Sequence, residues 1–317
     1  MDQISRRTFT SLMMTVGTGL LIAPQVSCNI NNIRKKYSND MGLQLWSIYK
    51  LLQSDQEETL ANISKIGFKQ VELPMFSNVG SIAPILNKYG LKPTCRHFPF
   101  ACITGNRDFY AKHNLPILEN FTIDSVLEDA NKFGLKHLVM PYLWPEERGN
   151  IDHYRRIAEQ LNITAEKCKE AGIQLNYHNH QFEFIPIEGV LPYDIIVTET
   201  DKSLLTFQID VYFVYAMGMN PAELIKKMGS RVKLLHLKDM NSRNANSEDL
   251  SVNQPKNEIE LRDETVALGS GLLDFKSILT AARENNVDNC YIEIEGAQSN
   301  SLKVLEHSLD YLKTLDL

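Results

Sequence analysis

From Met41 onward, short apolar runs of strand type alternate with longer stretches whose apolar residues recur at helical spacing. The strand runs are Gly42 to Trp46, Lys69 to Leu73, Lys92 to His97, Lys136 to Pro141, Ile173 to His178, Leu205 to Asp210, Val232 to His236 and Cys290 to Ile294. Between them the 3.6-residue period predicts helices, among them Glu57 to Ile66, Ile82 to Tyr89, Ser125 to Phe133, Tyr154 to Ala171 and Pro221 to Met228. Gly67, Gly90, Gly134 and Gly172 each follow a helix and precede a strand, where a residue free to adopt positive φ ends the helix. This recurrence predicts eight βα units of roughly 35 residues, closed into an α/β (β/α)8 TIM barrel. A doubly wound open sheet is the alternative, but no G-x-G-x-x-G follows the first strand.

Two stretches break the rhythm, Phe98 to Thr122 and Asn241 to Thr265, after the third and seventh strands. In a barrel both fall on the C-terminal face, so we read them as polar insertions and candidate lids. The first residues differ from the rest. Ser5-Arg6-Arg7-Thr8-Phe9 precedes an apolar stretch from Leu12 to Pro24 that is too short to span a bilayer. We read residues 1–28 as a twin-arginine-type export signal, 29–40 as a linker and 41–317 as the barrel, which implies a periplasmic or envelope location. Cys28 is a candidate lipidation site, and so a candidate membrane anchor. The other cysteines, Cys95, Cys102, Cys168 and Cys290, form no C-x-x-C pair and read as free thiols, with Cys95 and Cys102 the one pair close enough in sequence to test.

The chain carries 33 Lys and Arg against 39 Asp and Glu, a net charge of -6, so no basic field draws in nucleic acid or an anionic membrane. A small neutral or weakly polar partner fits better. The informative feature is that apolar strands end in histidine or acid. The fifth ends in Tyr177-His178-Asn179-His180 with Glu183 beyond it, the sixth in Asp210, and the seventh in His236 followed by Lys238-Asp239. The eighth carries Glu293 and Glu295. Neighbouring ends of a closed barrel lie side by side, so imidazoles and carboxylates share one quadrant of the mouth. Mixed nitrogen and oxygen donors suit one divalent ion, Mn²⁺, Co²⁺, Fe²⁺ or Zn²⁺, rather than Ca²⁺, with Mg²⁺ left open as a further candidate.

These motifs resemble the sugar phosphate isomerase/epimerase-like proteins with the xylose isomerase-like TIM barrel, from Met41 to the C-terminus. The carriers are Gly42-Leu43-Gln44-Leu45-Trp46, Ile66-Gly67-Phe68-Lys69-Gln70-Val71-Glu72 and Tyr177-His178-Asn179-His180-Gln181-Phe182-Glu183-Phe184. Further on come Asp210-Val211-Tyr212, Gly218, Asn220-Pro221, His236-Leu237-Lys238-Asp239, Gly269-Ser270-Gly271 and Glu293-Ile294-Glu295. The resemblance implies one divalent metal on His178, Asp210, His236 and Glu293. Many such epimerases carry a glutamate on the fifth strand, where this chain has His178. That departure puts a symmetric two-carboxylate mechanism in doubt, leaving Glu183 to supply the missing carboxylate or His180 to serve as the ligand.

The expected activity is isomerisation or epimerisation of a free sugar or keto-sugar through an enediolate, with Glu293 as base and His180 or Glu183 handling the second proton. His97, Lys238 and Glu72 are candidate substrate contacts. Loss of a β-substituent would make the protein a lyase or dehydratase. A metal-activated water would make it a hydrolase of 3-keto-glycosides, and a barrel without chemistry a sugar-binding protein. Export argues against a phosphorylated substrate, and Gly269-Ser270-Gly271 is a weak anion cradle that serves equally as a turn. Trp46, Phe76, Phe98, Phe100, Trp144 and Tyr212 are candidates for stacking on sugar rings, with Trp46 and Trp144 foremost and Phe76 and Tyr212 weighed as core.

Overall fold

A computed structural model describes residues 40–112, 121–241, 265–295 and 300–317. The expected export signal at 1–28 with Cys28, residues 29–39 of the expected linker, residues 242–264 of the second insertion and 113–120 of the first lie outside the described residues.

Eight parallel strands close a barrel: β1 (Gly42–Gln44), β2 (Gln70–Leu73), β3 (Lys92–His97), β4 (His137–Met140), β5 (Gln174–His178), β6 (Leu205–Asp210), β7 (Val232–Leu237) and β10 (Asn289–Ile292). Each pairs with its neighbours in sequence, and β10 closes the ring on β1. A two-residue antiparallel pair, β8 (Asp239–Met240) and β9 (Thr265–Val266), sits beside β7 in sequence but outside the barrel sheet. One principal helix follows each barrel strand: Gln56–Ile66, Val79–Lys88, Ile123–Phe133, Ile151–Glu170, Pro192–Glu199, Pro221–Met228, Phe275–Glu284 and Ser301–Thr314. The chain is a (β/α)8 TIM barrel. Among the described residues no helix is long and apolar enough to cross a membrane.

Local chemistry sets these limits. Side chains of Asp55, Asn150 and Asp274 accept the free amides of Glu58, His153 and Ser277 at the starts of their helices. Gly67, Gly90, Gly134 and Gly172 all take positive φ, between 67° and 117°, so the punctuation expected from sequence is present in the backbone. Several strands end one or two residues earlier than their apolar runs. After Gln44 the chain turns into a single 3-10 turn, Leu45–Ile48, held by the Gln44 side chain accepting from the Trp46 amide at 3.1 Å. Trp46 is thereby carried off β1 to the barrel rim.

Apolar side chains form two bodies. The larger fills the space between strands and helices. The smaller, Cys95, Val139, Leu234 and Tyr291, comes from four different strands. Two positions further along those strands lie His97, Pro141, His236 and Glu293, which line the mouth cavity. Residues two apart share a face, so the small cluster is an apolar layer on the barrel axis beneath the mouth. Tyr291 is accommodated there only because β1 offers Gly42 opposite, where a Cβ would lie 2.3 Å from the tyrosine Cδ1.

Three expectations are corrected. The insertion after β3 is not a polar excursion: Phe98, Phe100, Ala101 and Cys102 are buried, so its first turn is core. Phe98 and Phe100 are therefore lost as sugar platforms. The Gly269-Ser270-Gly271 amides are not an open anion cradle, because the buried Asp239 carboxylate fills it. Its Oδ2 accepts from Gly269 N at 3.0 Å and Gly271 N at 2.9 Å, while Oδ1 accepts from Met240 N at 2.9 Å and Leu273 N at 3.1 Å. As the sequence leads one to expect, the four cysteines Cys95, Cys102, Cys168 and Cys290 are free, and all are buried.

The Gly42–Tyr291 contact yields a stability prediction. Gly42→Ala forces a methyl into the ring and is expected to cost about 1–3 kcal/mol, read as a lower thermal midpoint. In Gly42→Ala/Tyr291→Leu the two losses should be less than additive. Full additivity would show that the close approach does not limit the barrel.

Candidate metal centre

The deepest polar group at the mouth is Glu72 on β2, which has no exposed surface. A carboxylate only accepts, so its neighbours must turn donors toward it. Gln208 Nε2 donates to Oε1 at 2.7 Å and Gln44 Nε2 donates to Oε2 at 2.7 Å. His236 Nε2 is hydrogen-bonded to Oε2, and His97 Nε2 lies 3.2 Å from the same oxygen. Burial opposes ionisation of Glu72, but the rings of His97 and His236 outweigh it and hold the carboxyl well below its ordinary range.

This acceptor orients the layer above it. With its amide nitrogen committed to Glu72, Gln208 presents Oε1 to His178 Nδ1 at 2.9 Å and to His97 Nε2 at 3.1 Å. His178 therefore carries its proton on Nδ1, and its bare Nε2 faces Asp210 Oδ2 at 3.8 Å. In His236, Nε2 is bonded to Glu72 and Nδ1 lies 2.7 Å from Glu293 Oε2, so the ring sits between two carboxylates that favour its doubly protonated form. Asp210 Oδ2 is buried without a well-formed hydrogen bond. His178 Nε2 and Asp210 Oδ2 thus turn lone pairs toward one another, and a divalent ion there would take the place of the Nδ1 proton that His236 shares with Glu293.

Charge points the same way. Asp210, Glu293 and Glu295 surround the ammonium of Lys238, with Nζ at 3.1, 2.8 and 3.7 Å from their oxygens. With Glu72 below, four carboxylates are matched by the Lys238 ammonium and the charged His236 ring, and a dication that displaced the His236 proton would keep that balance. Burial pushes the Asp210 carboxyl up, partly countered by Lys238. For Glu293, Lys238 and His236 outweigh burial and hold the carboxyl well below its usual range. Burial and the neighbouring His236 hold His178 well below the ordinary imidazole value, so it stays neutral, as a ligand must. Between Glu72 and Glu293, His236 is pushed up to about 10 despite burial. His178, Asp210 and His236 bring ligand-type atoms within 4.8 Å of one another, as do Glu72, His97 and His236. The donor set fits a divalent ion, with His178 Nε2, Asp210 Oδ2, His236 Nδ1 and Glu293 Oε2 as the atoms to hold it.

Above the centre opens a cavity of about 460 Å³, whose lining includes Gln44, His97, His178, His180, His236 and Lys238, with Glu293 and Glu295 beside them. His180 lines it from the β5 side, its ring stacked at 5.7 Å on Phe182 and edge-on to Tyr142 at 4.8 Å. Trp46, Phe76 and Trp144 also line it, whereas Tyr212 is buried. Phe76 thus lies in the wall rather than in the core.

Two sequence-derived roles change. Glu183 does not line the cavity. It is fully buried, its Oε1 accepting from Tyr177 OH at 2.6 Å and its Oε2 from His180 N at 2.8 Å, so it holds the β5 exit in shape instead of moving a proton. Glu72 is roofed by His97 and His236 and positions the latter rather than touching substrate. Gln208 and Gln44 escaped notice as site residues. The available signal was polarity inside wholly buried strands: Gln208 stands two residues before Asp210 in β6, none of whose residues is exposed.

A family model described as xylose isomerase-like TIM barrel matches residues 60–315. Among curated proteins, inosose dehydratase of Lacticaseibacillus casei is 26% identical over 166 residues, covering 52% of this chain and 54% of that protein. The chain spans about half the length of the curated relatives it matches. Among solved structures, a sugar phosphate isomerase/epimerase from Parabacteroides distasonis ATCC 8503 superposes with a TM-score of 0.69 at 21% identity, covering 87% of this chain and 98% of that one. The IOLI protein, described with a binding zinc atom, superposes with a TM-score of 0.60 at 15% identity over 87% of this chain and 98% of its own.

Glu183 gives a pH prediction. Burial raises its carboxyl from 4.5 to about 7, partly offset by the bonds from Tyr177 and His180. Below 4.5 the folded and unfolded chains both keep the proton. Between 4.5 and 7 only the unfolded chain loses it, so stability falls as pH rises, by on the order of 3 kcal/mol once above 7. Glu183→Gln can keep both bonds and should remove this slope. Thermal midpoints of wild type and variant across that range check it, and parallel curves would contradict the assignment.

Proposed function

This chain belongs to the xylose isomerase-like TIM barrel family, and from that membership we propose that it is a metal-dependent lyase or dehydratase acting on an unphosphorylated keto-sugar or keto-cyclitol. The observation that carries this reading is the one-sided placement of its acids. Among the described residues the carboxylates lining the cavity are Glu293 and Glu295, both leaving β10, while the β5 side offers His178 and His180. An epimerase that works both faces of a ring with two carboxylates lacks its second one here. Elimination needs one base and one proton donor.

A divalent ion on His178, Asp210, His236 and Glu293 supplies Lewis acidity at the carbonyl oxygen. Glu293, kept ionised by Lys238, takes the proton α to that carbonyl. The buried Lys238 ammonium donates a hydrogen bond to an oxygen of the same ring, and His97 anchors a further hydroxyl from the floor. His180, three strands around the barrel from β10, gives a proton to the departing β-oxygen, so water or an alcohol leaves and no redox change occurs. The filled Gly269–Gly271 cradle supports a substrate without phosphate, and the reading of residues 1–28 as an export signal supports one met outside the cytoplasm. The names of the relatives, inosose dehydratase among them, support the reaction class.

Protein loaded with Mn²⁺, Co²⁺ or Zn²⁺ is expected to wash the α-proton of an inosose or 3-keto-glucose into D₂O and to form the unsaturated product by NMR. Glu293→Gln should slow exchange by about 10²–10⁴-fold. Asp210→Asn should lose bound metal by elemental analysis. Exchange that survives metal removal, or that persists in Glu293→Gln, would overturn the assignment. An epimerised product in place of an unsaturated one would return the site to isomerase chemistry.

A further inference from the structure

We propose that the outer half of the cavity is a subsite for the second ring of a glycoside, so that the substrate is a two-ring keto-glycoside rather than a lone sugar. This rests on the sugar-directed reading above and extends it. The polar groups able to meet a sugar's hydroxyls gather at the floor, around Lys238 and His236. Above them the wall is Trp46, Tyr49, Met75, Phe76, Tyr142 and Trp144. The volume, about 460 Å³, is on the scale of a ligand larger than one pyranose. A keto-sugar on the floor would leave this aromatic upper half without contacts.

The rim is built as a platform. Trp46 and Tyr49 stack on each other at 5.1 Å with 28° between their planes, yet remain 41% and 37% exposed. The short helix Tyr49–Ser54 buries none of its residues, so the core does not require these aromatics. Across the mouth, Trp144 is held edge-on by Tyr142 at 4.9 Å, and the Tyr142 hydroxyl accepts from Arg148 Nη2 at 2.8 Å. Flat, pre-positioned aromatic faces above a polar floor suit a ring with an apolar face, whether an aromatic aglycone or a second pyranose.

The chain holds only two tryptophans, Trp46 and Trp144, and both line the cavity, so tryptophan emission reports on this subsite directly. Metal-loaded protein is titrated with phenyl β-glucoside, cellobiose and methyl β-glucoside, none of which carries the ketone. Phenyl glucoside and cellobiose are expected to bind about 5- to 10-fold more tightly than the one-ring methyl glucoside, and the stronger of the two identifies the source of the second ring. Trp46→Ala, followed in the Trp144 emission, should bring that ratio to about one. Tyr49→Ala provides the same test should Trp46→Ala fail to fold. Equal affinities for one- and two-ring ligands in wild type, alongside normal α-proton exchange on 3-keto-glucose, would overturn the subsite and leave the reaction standing. Absence of exchange on every keto-sugar, with the two-ring preference intact, would instead remove the reaction and keep the subsite.

Discussion

One buried acceptor orients the whole centre. Glu72 has no access to water, so each lone pair must be met by a donor from inside the barrel. Gln44, Gln208 and His236 meet it. The consequence propagates outward through chemistry with no freedom left in it: a glutamine that gives its amide hydrogens inward shows its carbonyl outward, and an imidazole protonated on one nitrogen is bare on the other. His178 thereby turns an unprotonated nitrogen to Asp210, and His236 is held with Nδ1 against Glu293. Such preorganisation lets side chains from four strands act as one ligand set.

The barrel axis is graded from bottom to top. At its base Cys95, Val139, Leu234 and Tyr291 form a dry plug. Over it lies the hydrogen-bonded layer centred on Glu72, then the ring of acids about Lys238, then aromatic walls open to solvent. Low polarizability beneath the acids strengthens every charge interaction above it, which is why so many ionisable groups depart from their ordinary values within one small volume. Asp239, adjacent in sequence to Lys238, belongs to none of this. It points to the β8–β9 side and ties the Gly269–Gly271 turn through four amides. A fold shared with many enzymes thus takes its chemical character from a few side chains at strand ends.

Much of the architecture was legible because it is written in periodicity. Short apolar runs marked eight strands, and Gly67, Gly90, Gly134 and Gly172 marked where helices stop, since positive φ is a local backbone requirement that only a few residues meet. Strand ends were less legible. Whether Glu293 lies in β10 or beyond it depends on a hydrogen bond to Leu237, 56 positions away in the chain, and no local pattern encodes that. Phe98 and Phe100 looked like platforms in a polar insertion, but what packs against them is distant in sequence, and they are core.

The sequence by itself determined the barrel and the set of metal-capable residues at its strand ends, because apolar runs, the 3.6-residue period and residue chemistry are properties of short segments. Only the tertiary structure decided which atoms of those residues face one another. Glu72 became the inward acceptor and Gln208 the link between it and His178, because donor and acceptor roles inside a dry barrel are assigned by neighbours 30 to 164 positions apart. Proximity of that kind exists only after the chain has closed.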